Sequence, residues 1–250
     1  MGIKKGTERR SCFCPVMPFF ITSCAKRSAP ILATILIIGL MLMLSPRYLL
    51  YSDAPQRSDV IILFPDPELD AMRREARQLI ENGYSRYLCI PTSFSLYHID
   101  QNEMSFTAVL NPAVTPGIGI SLQSFEDDII NMDYFFKIRK ECGFPPYFEN
   151  THVEMLLAKK IMNAYGFKSA IFVSSPYHMR RIKMIAASVF DSTYAIKLIP
   201  SRFEKSFGNH LPSLKDMGQV FTEYPKVVWF LCYDLWERCI GLPSWKIKVS

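Results

Sequence analysis

The chain has 250 residues, 49% of them hydrophobic and 21% charged, with a formal net charge of +6. That length supports one well-buried domain with additional segments, and the composition excludes a disordered chain. Lys4, Lys5, Arg9, Arg10, Lys26 and Arg27 against Glu8 place +5 of the +6 within residues 1–28, so the remainder lacks the basic bulk of a nucleic-acid-binding domain and no nucleic-acid partner is expected.

The basic tail, residues 1–28, leads into ILATILIIGLMLML, Ile31 to Leu44, without a charged side chain. As a helix this core spans about 21 Å, short of the roughly 30 Å hydrocarbon layer. Ala29 and Pro30 before it, and Ser45 onward after it, extend it, with Arg47 reaching back to the interface. A single transmembrane helix over residues 29–47 is the expectation; the all-apolar circumference argues against a buried core helix. The positive-inside rule puts Lys26, Arg27 and the N-terminus in the cytoplasm and the main domain outside. Two other readings stay open. One is a cleaved signal peptide, although no clear small-x-small site follows Leu44. The other is a lipoprotein-type cleavage at Ile21-Thr22-Ser23-Cys24, whose upstream apolar stretch is interrupted by Pro15 and Pro18.

Residues 48–57 read as a short polar tether. Ser58 to Phe64 is short, continuous and β-branched, the pattern of a buried strand. Glu68 to Asn82 has apolar residues at helical spacing, and Gly83 suits its C-cap. Arg86 to Ile90 is a second strand, which completes the strand–helix–strand unit of a parallel sheet. Residues 93–123 hold no sustained period and are too long for an ordinary loop, so they read as an irregular or partly β insertion, a candidate lid. A helix is expected from Ser124 to Cys142, with Ser124 as cap, Asp127 at N3 and Gly143 closing it. Thr151-x-x-Glu154 fits a capping box for the next helix, which ends at Gly166.

Ala170 to Val173 is a strand, Pro176 to about Val189 a helix, and Tyr194 to Ile199 a further strand. Asp216 to about Cys239 is mostly helical, with a break expected at Pro225. This last helix is apolar nearly all round and too short for a second span; it either packs on the sheet or lies at a membrane surface. Residues 241–250 form a tail. Four cysteines, Cys89, Cys142, Cys232 and Cys239, fall in the outer domain. A disulfide among them is open, except that Cys232 and Cys239 are two turns apart on a straight helix and too distant to pair.

The stretch FVSSPYHMRRIKM, residues 172–184, carries the chemistry. In an open parallel sheet, ligands bind beyond the carboxyl ends of strands, where helices begin. Ser174 and Ser175 sit at such an end, Pro176 suits the first helical turn, and the free N–H groups there favour an anion. Arg180 and Arg181 add permanent positive charge, and His178 can transfer a proton near neutral pH. A capped helix with solvated arginines is the plain alternative. Glu149 and Asn150 precede the neighbouring helix, and two helix starts at one sheet edge would bring them toward His178. A carboxylate and an imidazole in one crevice suffice for acid–base work or for orienting a polar ligand; as a plain alternative, Glu149 caps its helix.

Strand–Ser174-Ser175-Pro176-Tyr177-His178-Met179-Arg180-Arg181, preceded by Glu149-Asn150-Thr151, resembles the YdcF-like family, which includes the SanA and ElyC envelope proteins. The resemblance covers roughly Ser58 to Trp236. Ser58-Asp59-Val60-Ile61-Ile62-Leu63 is similar to the family's opening strand, Tyr147-Phe148-Glu149-Asn150 to its T-x-E-N signature, and Glu223-Tyr224-Pro225-Lys226 to its C-terminal helix start. It implies a Rossmann-like three-layer α/β domain over residues 58–240, with a mainly parallel sheet, held outside the bacterial inner membrane by a single-pass anchor. It implies a role in envelope integrity near cell-wall or lipid-linked glycan precursors, with S-adenosylmethionine as a cofactor in one branch and an envelope protein as a partner. The implied catalytic residues are Glu149 and His178. The implied ligand-binding residues are Asp59, Asn150, Ser174, Ser175, Tyr177, Arg180 and Arg181, with no metal. The family's glycine-rich turns are missing: Phe64-Pro65-Asp66 follows the first strand and Pro91-Thr92-Ser93 the second. Bulkier residues there should remodel or close that part of the pocket, which favours a different ligand or a non-catalytic scaffold that binds a partner through residues 93–123.

Overall fold

The structure, a computed structural model, describes residues 47–65, 69–100, 105–110, 119–120, 132–204 and 214–241. The basic tail, the apolar segment up to residue 46, Asp66, the Ser124 cap with Asp127, and the tail from residue 242 lie outside the described residues. Among the described residues no helix is long and apolar enough to cross a membrane.

Seven strands form one mixed sheet in the order β5-β4-β3-β2-β1-β6-β7. The strands are β1 (Val60–Leu63), β2 (Tyr87–Ile90), β3 (Ser95–Asp100), β4 (Ser105–Leu110), β5 (Gly119–Ile120), β6 (Ser169–Ser174) and β7 (Ala195–Pro200). The helices are α1 (Leu69–Glu81), α2 (Met132–Glu141), α3 (Asn150–Tyr165), α4 (Met179–Val189) and α5 (Leu214–Ile240). β2, β1, β6 and β7 pair in parallel. Central β1 is fully buried, as the unbroken VIIL run requires of a strand covered on both faces. Its side chains alternate between two cores. Ile61 and Leu63 meet Met72, Ala76, Leu79 and Ile80 of α1. Val60 and Ile62 share the opposite core with Phe135, Leu157, Ile161, Ile182 and Ile185 of α2, α3 and α4.

Within residues 93–123 the described residues include three strands, so the expected insertion is partly β and joins the sheet. β3 and β4 continue the sheet as an antiparallel meander, with Leu88 beside Tyr97 and His98 beside Thr107. The weak sequence period has a structural cause: β3 begins directly after a 3-10 turn at Pro91–Ser93, and its register with β4 shifts between Leu96 and Tyr97. The tether is also docked. Asp53 donates its N–H to Leu198 O at 2.8 Å and accepts from Leu198 N through Oδ2 at 3.0 Å, covering part of the β7 edge. Leu49 is completely buried against Tyr177, Val220 and Val227.

α5 runs unbroken through Pro225. The missing N–H leaves Phe221 O without its helical donor, but Pro225 lies on the exposed side, while Val220, Val227 and Phe230 hold the opposite side in the core. The four described cysteines are all free. Gly166 ends α3 with φ 72°, and its N–H caps Asn163 O and Met162 O. A Cβ there would meet nothing within 4 Å. Gly166→Ala is therefore expected to cost roughly 1–2 kcal/mol through backbone strain alone, read as a lowered urea midpoint at unchanged slope.

Candidate functional site

The chain leaves β1 for β2 on one side and later returns to β6 on the other, so the carboxyl ends of these three strands surround a topological switch point. A cavity of about 480 Å³ opens there. Pro65 follows β1, Thr92 follows β2 and His178 follows β6; Glu149, Asn150, Thr151 and Glu154 reach it from the start of α3, Arg181 from α4 and Lys226 from α5. Pro65 and Thr92 stand where the family resemblance leads one to expect glycine turns. They wall the cavity rather than close it.

The start of α3 is positioned by Arg139 of α2, which donates from Nη2 to Phe148 O at 2.6 Å and from Nη1 to Asn150 Oδ1 at 2.8 Å. Glu149 takes the N-cap position, with extended backbone and no side-chain cap. The Thr151/Glu154 pair does not form a capping box. Both side chains turn to tertiary partners: Arg181 Nη1 donates to Thr151 Oγ1 at 2.9 Å, and Thr92 Oγ1 donates to Glu154 Oε1 at 3.3 Å.

Arg181 is the hub. Its side chain is 3% exposed and forms ion pairs with Glu149 Oε2 at 2.9 Å and Glu223 Oε2 at 2.8 Å. Glu223 Oε1 also meets His178 Nε2 at 2.8 Å and Lys226 Nζ at 2.6 Å. His178 and Glu149 therefore share a cavity, as expected from the sequence, but the carboxylate on the imidazole is Glu223. The remaining oxygen of Glu149, Oε1, is buried without a hydrogen-bond partner, which costs free energy unless water or a ligand completes it.

The three carboxyl groups are driven apart. Burial pushes Glu154 up to about 7, only partly opposed by Arg181 and the Thr92 hydrogen bond. Burial raises Glu149 as well, against the pull of Arg181. Burial alone would raise Glu223, but the hydrogen bond and charge of His178, then Arg181 and Lys226, hold it far below the usual carboxylate range. A carboxyl poised near neutrality beside a firmly ionised one is the arrangement that acid–base chemistry needs.

Other residues predicted for the site lie elsewhere. Asp59 is at the amino end of β1, where Oδ2 accepts from the N–H groups of Lys168 and Ser169, both at 2.8 Å. These bonds tie the starts of β1 and β6 together, on the sheet edge away from the cavity. Ser174 is fully buried and donates from Oγ to Phe64 O. Ser175 precedes a 3-10 turn, Pro176–His178, that separates it from α4 and offers no side-chain cap. Tyr177 is buried against Leu49 and Val220; burial, then the Asp216 charge, pushes its hydroxyl up to about 12. Arg180 donates from Nε to Tyr48 O at 2.9 Å and stacks over the Tyr48 ring at 4.7 Å. It serves the start of the domain, and neighbouring Arg181 alone enters the cavity, because successive helix positions point about 100° apart.

Sequence reasoning missed Glu154, Thr92 and Lys226 as site residues, and used Glu223 only as part of a motif. Among the described residues no group of three or more His, Cys, Asp or Glu side chains is placed to hold a metal ion. No family model matches the chain, no curated protein matches it and no solved structure matches it.

Proposed function

We propose that this protein is a single-pass, membrane-anchored bacterial envelope protein whose Rossmann-like domain binds a polar ligand in the switch-point cavity. Its Glu154 and His178 handle protons there. The carrying observation is the convergence of Glu149, Glu154, His178, Arg181 and Lys226 on one cavity at the strand ends, with Glu223 paired to three of them and Glu154 poised near neutrality. A ligand rich in hydroxyls suits the lining better than a bare phosphate, because Nε and Nη1 of Arg181 are already engaged by Glu149, Thr151 and Glu223. This favours the glycan portion of a cell-wall or lipid-linked precursor, with transfer or hydrolysis as the reaction class. S-adenosylmethionine remains a cofactor candidate through the family resemblance alone.

A second reading, a non-catalytic scaffold with an envelope protein partner, draws on the same hub. Arg181 joins α3, α4 and α5 through buried ion pairs, and such a clamp serves a fold as well as a reaction. A thermal-shift screen of the full chain in detergent decides between them, using nucleotides, S-adenosylmethionine, isoprenoid phosphates and cell-wall precursors. A ligand at 100 times its Kd stabilises by about 2.7 kcal/mol. The expected result is a shift with a glycan precursor that vanishes in His178→Ala. No shift across the panel moves the weight to the scaffold.

A further inference from the structure

The outer face of α5 is covered only in part among the described residues: Tyr147 O accepts from Trp229 Nε1 at 2.9 Å, and the Tyr147 ring lies 5.5 Å from that of Trp236. Phe221, Val228, Trp229, Leu235, Trp236 and Ile240 are all about half exposed. They recur at helical spacing on the side opposite Val220, Val227 and Phe230, with Pro225, Cys232 and Cys239 between them. The middle of this stripe carries no charged residue over five turns. The described charged side chains of the helix lie elsewhere: Lys226 lines the cavity, Glu223 is buried against His178 and Arg181, Asp216 and Glu237 are buried, and Asp234 pairs with Arg238 on one flank at 2.9 Å. Monomeric soluble proteins rarely leave so continuous an apolar strip in water.

Two observations identify what covers it. The first is where the chain arrives. Tyr48, four residues after the apolar run that ends at Leu44, stacks on Tyr224 of α5 at 6.5 Å and is itself half exposed. The first described residues of the chain therefore lie against α5, beside the stripe. The second is the side chains gathered at that point. Arg180 stacks over Tyr48 and Tyr51, and Lys183 Nζ sits 3.6 Å from the Tyr51 ring centroid. Tyrosines with Arg and Lys beside an apolar strip bearing two tryptophans form the composition of a membrane interface, with cations at headgroup level and indoles just beneath.

We propose that the outer face of α5 lies in the interfacial zone of a lipid bilayer containing anionic lipid, so that the domain rests on the membrane along this helix. The proposal rests on the anchor reading above. It adds a second, parallel contact that fixes the orientation of the domain, and it places the helix carrying Glu223 and Lys226 at lipid level. A helix with this polarity lies along the surface; the ion pairs on its inner side rule out a span.

Tryptophan emission tests it with native reporters, because the chain has three tryptophans and two of them, Trp229 and Trp236, are on the stripe. The full chain carrying Trp245→Phe is reconstituted in vesicles of phosphatidylcholine and phosphatidylglycerol, with ordinary or brominated acyl chains. Expected are a blue-shifted emission, loss of most of its intensity in brominated vesicles, and protection from aqueous acrylamide. Membrane-inserted protein whose emission is quenched by acrylamide and not by brominated lipid overturns the proposal while leaving the anchor intact. Emission that is blue-shifted but quenched by neither, and reddens on dilution into more lipid, assigns the face to a second copy and overturns it too. A chain recovered in the soluble fraction overturns the anchor and the docking together.

Discussion

Replacing Arg181 by methionine is expected to lower the unfolding free energy by about 3–5 kcal/mol, the usual cost of removing one partner from a buried ion pair. The guanidinium is 3% exposed and faces two carboxylates that are nearly as buried. The cost divides unequally between them. Glu223 keeps His178 and Lys226 as partners after the substitution. Glu149 keeps none of its ion pairs, and burial already raises its pKa against the pull of Arg181. Glu149 should therefore answer by taking up a proton, and the destabilisation should shrink in acid as it does so. Arg181→Met with Glu149→Gln should recover part of the loss, a coupling that a double-mutant cycle in urea reads directly. Arg181→Lys should fall between, because an ammonium keeps the charge but not the fork that reaches Thr151, Glu149 and Glu223 at once. A loss below about 1 kcal/mol for the methionine variant would show that the network is solvated and worth no more than a surface pair.

The parts of this fold that were legible in the sequence are those where one local rule acts alone. The run at Val60–Leu63 allowed only a doubly covered strand, and Gly83 and Gly166 marked helix ends that both adopt positive φ. The crevice holding Glu149, Asn150, His178 and Arg181 followed from two helix starts on one sheet edge. What stayed hidden depends on contacts between distant segments. Thr151 and Glu154 carry a faultless local motif, yet the side chains are drawn off by Arg181, 30 residues on, and by Thr92, 62 residues back. Arg180 and Arg181 are adjacent and chemically identical, and only the phase of α4 against its neighbours sends one to Tyr48 and the other to the cavity. Glu223 was visible only as part of a helix-start motif, because nothing near it in sequence marks a helix that passes behind His178. The β3–β4–β5 extension was legible only as a partly β insertion, without its strands, because they are offset by a register shift and introduced by a 3-10 turn.

The protein should lose stability as pH rises from about 4.5 toward 7, by about 3 kcal/mol, through Glu154 alone. The direction follows from proton binding. Burial raises the folded-state pKa of Glu154 from an ordinary 4.5 to about 7, so between those values the folded chain holds a proton that the unfolded chain has released. Stability from this group is complete below 4.5 and lost as pH climbs through the folded value. Glu223 acts in the opposite direction and in a different window. Its folded pKa is depressed, so its contribution is present above the ordinary value and disappears only in acid. Glu154→Gln keeps the shape and the Thr92 contact without a titrating group. Urea unfolding at about pH 8 should find it more stable than the parent, with the difference closing near pH 4.5. A variant that tracks the parent across this range would mean that the Glu154 carboxyl is ionised in the fold. It would then have no proton to give at neutral pH, and the proposed chemistry would lose its acid. A variant that is more stable at pH 8 yet no longer turns over its ligand would tie the two properties together. The fold would be sustaining a neutral buried carboxyl, at a cost in stability, in the wall of the switch-point cavity, where packing alone would have favoured a leucine.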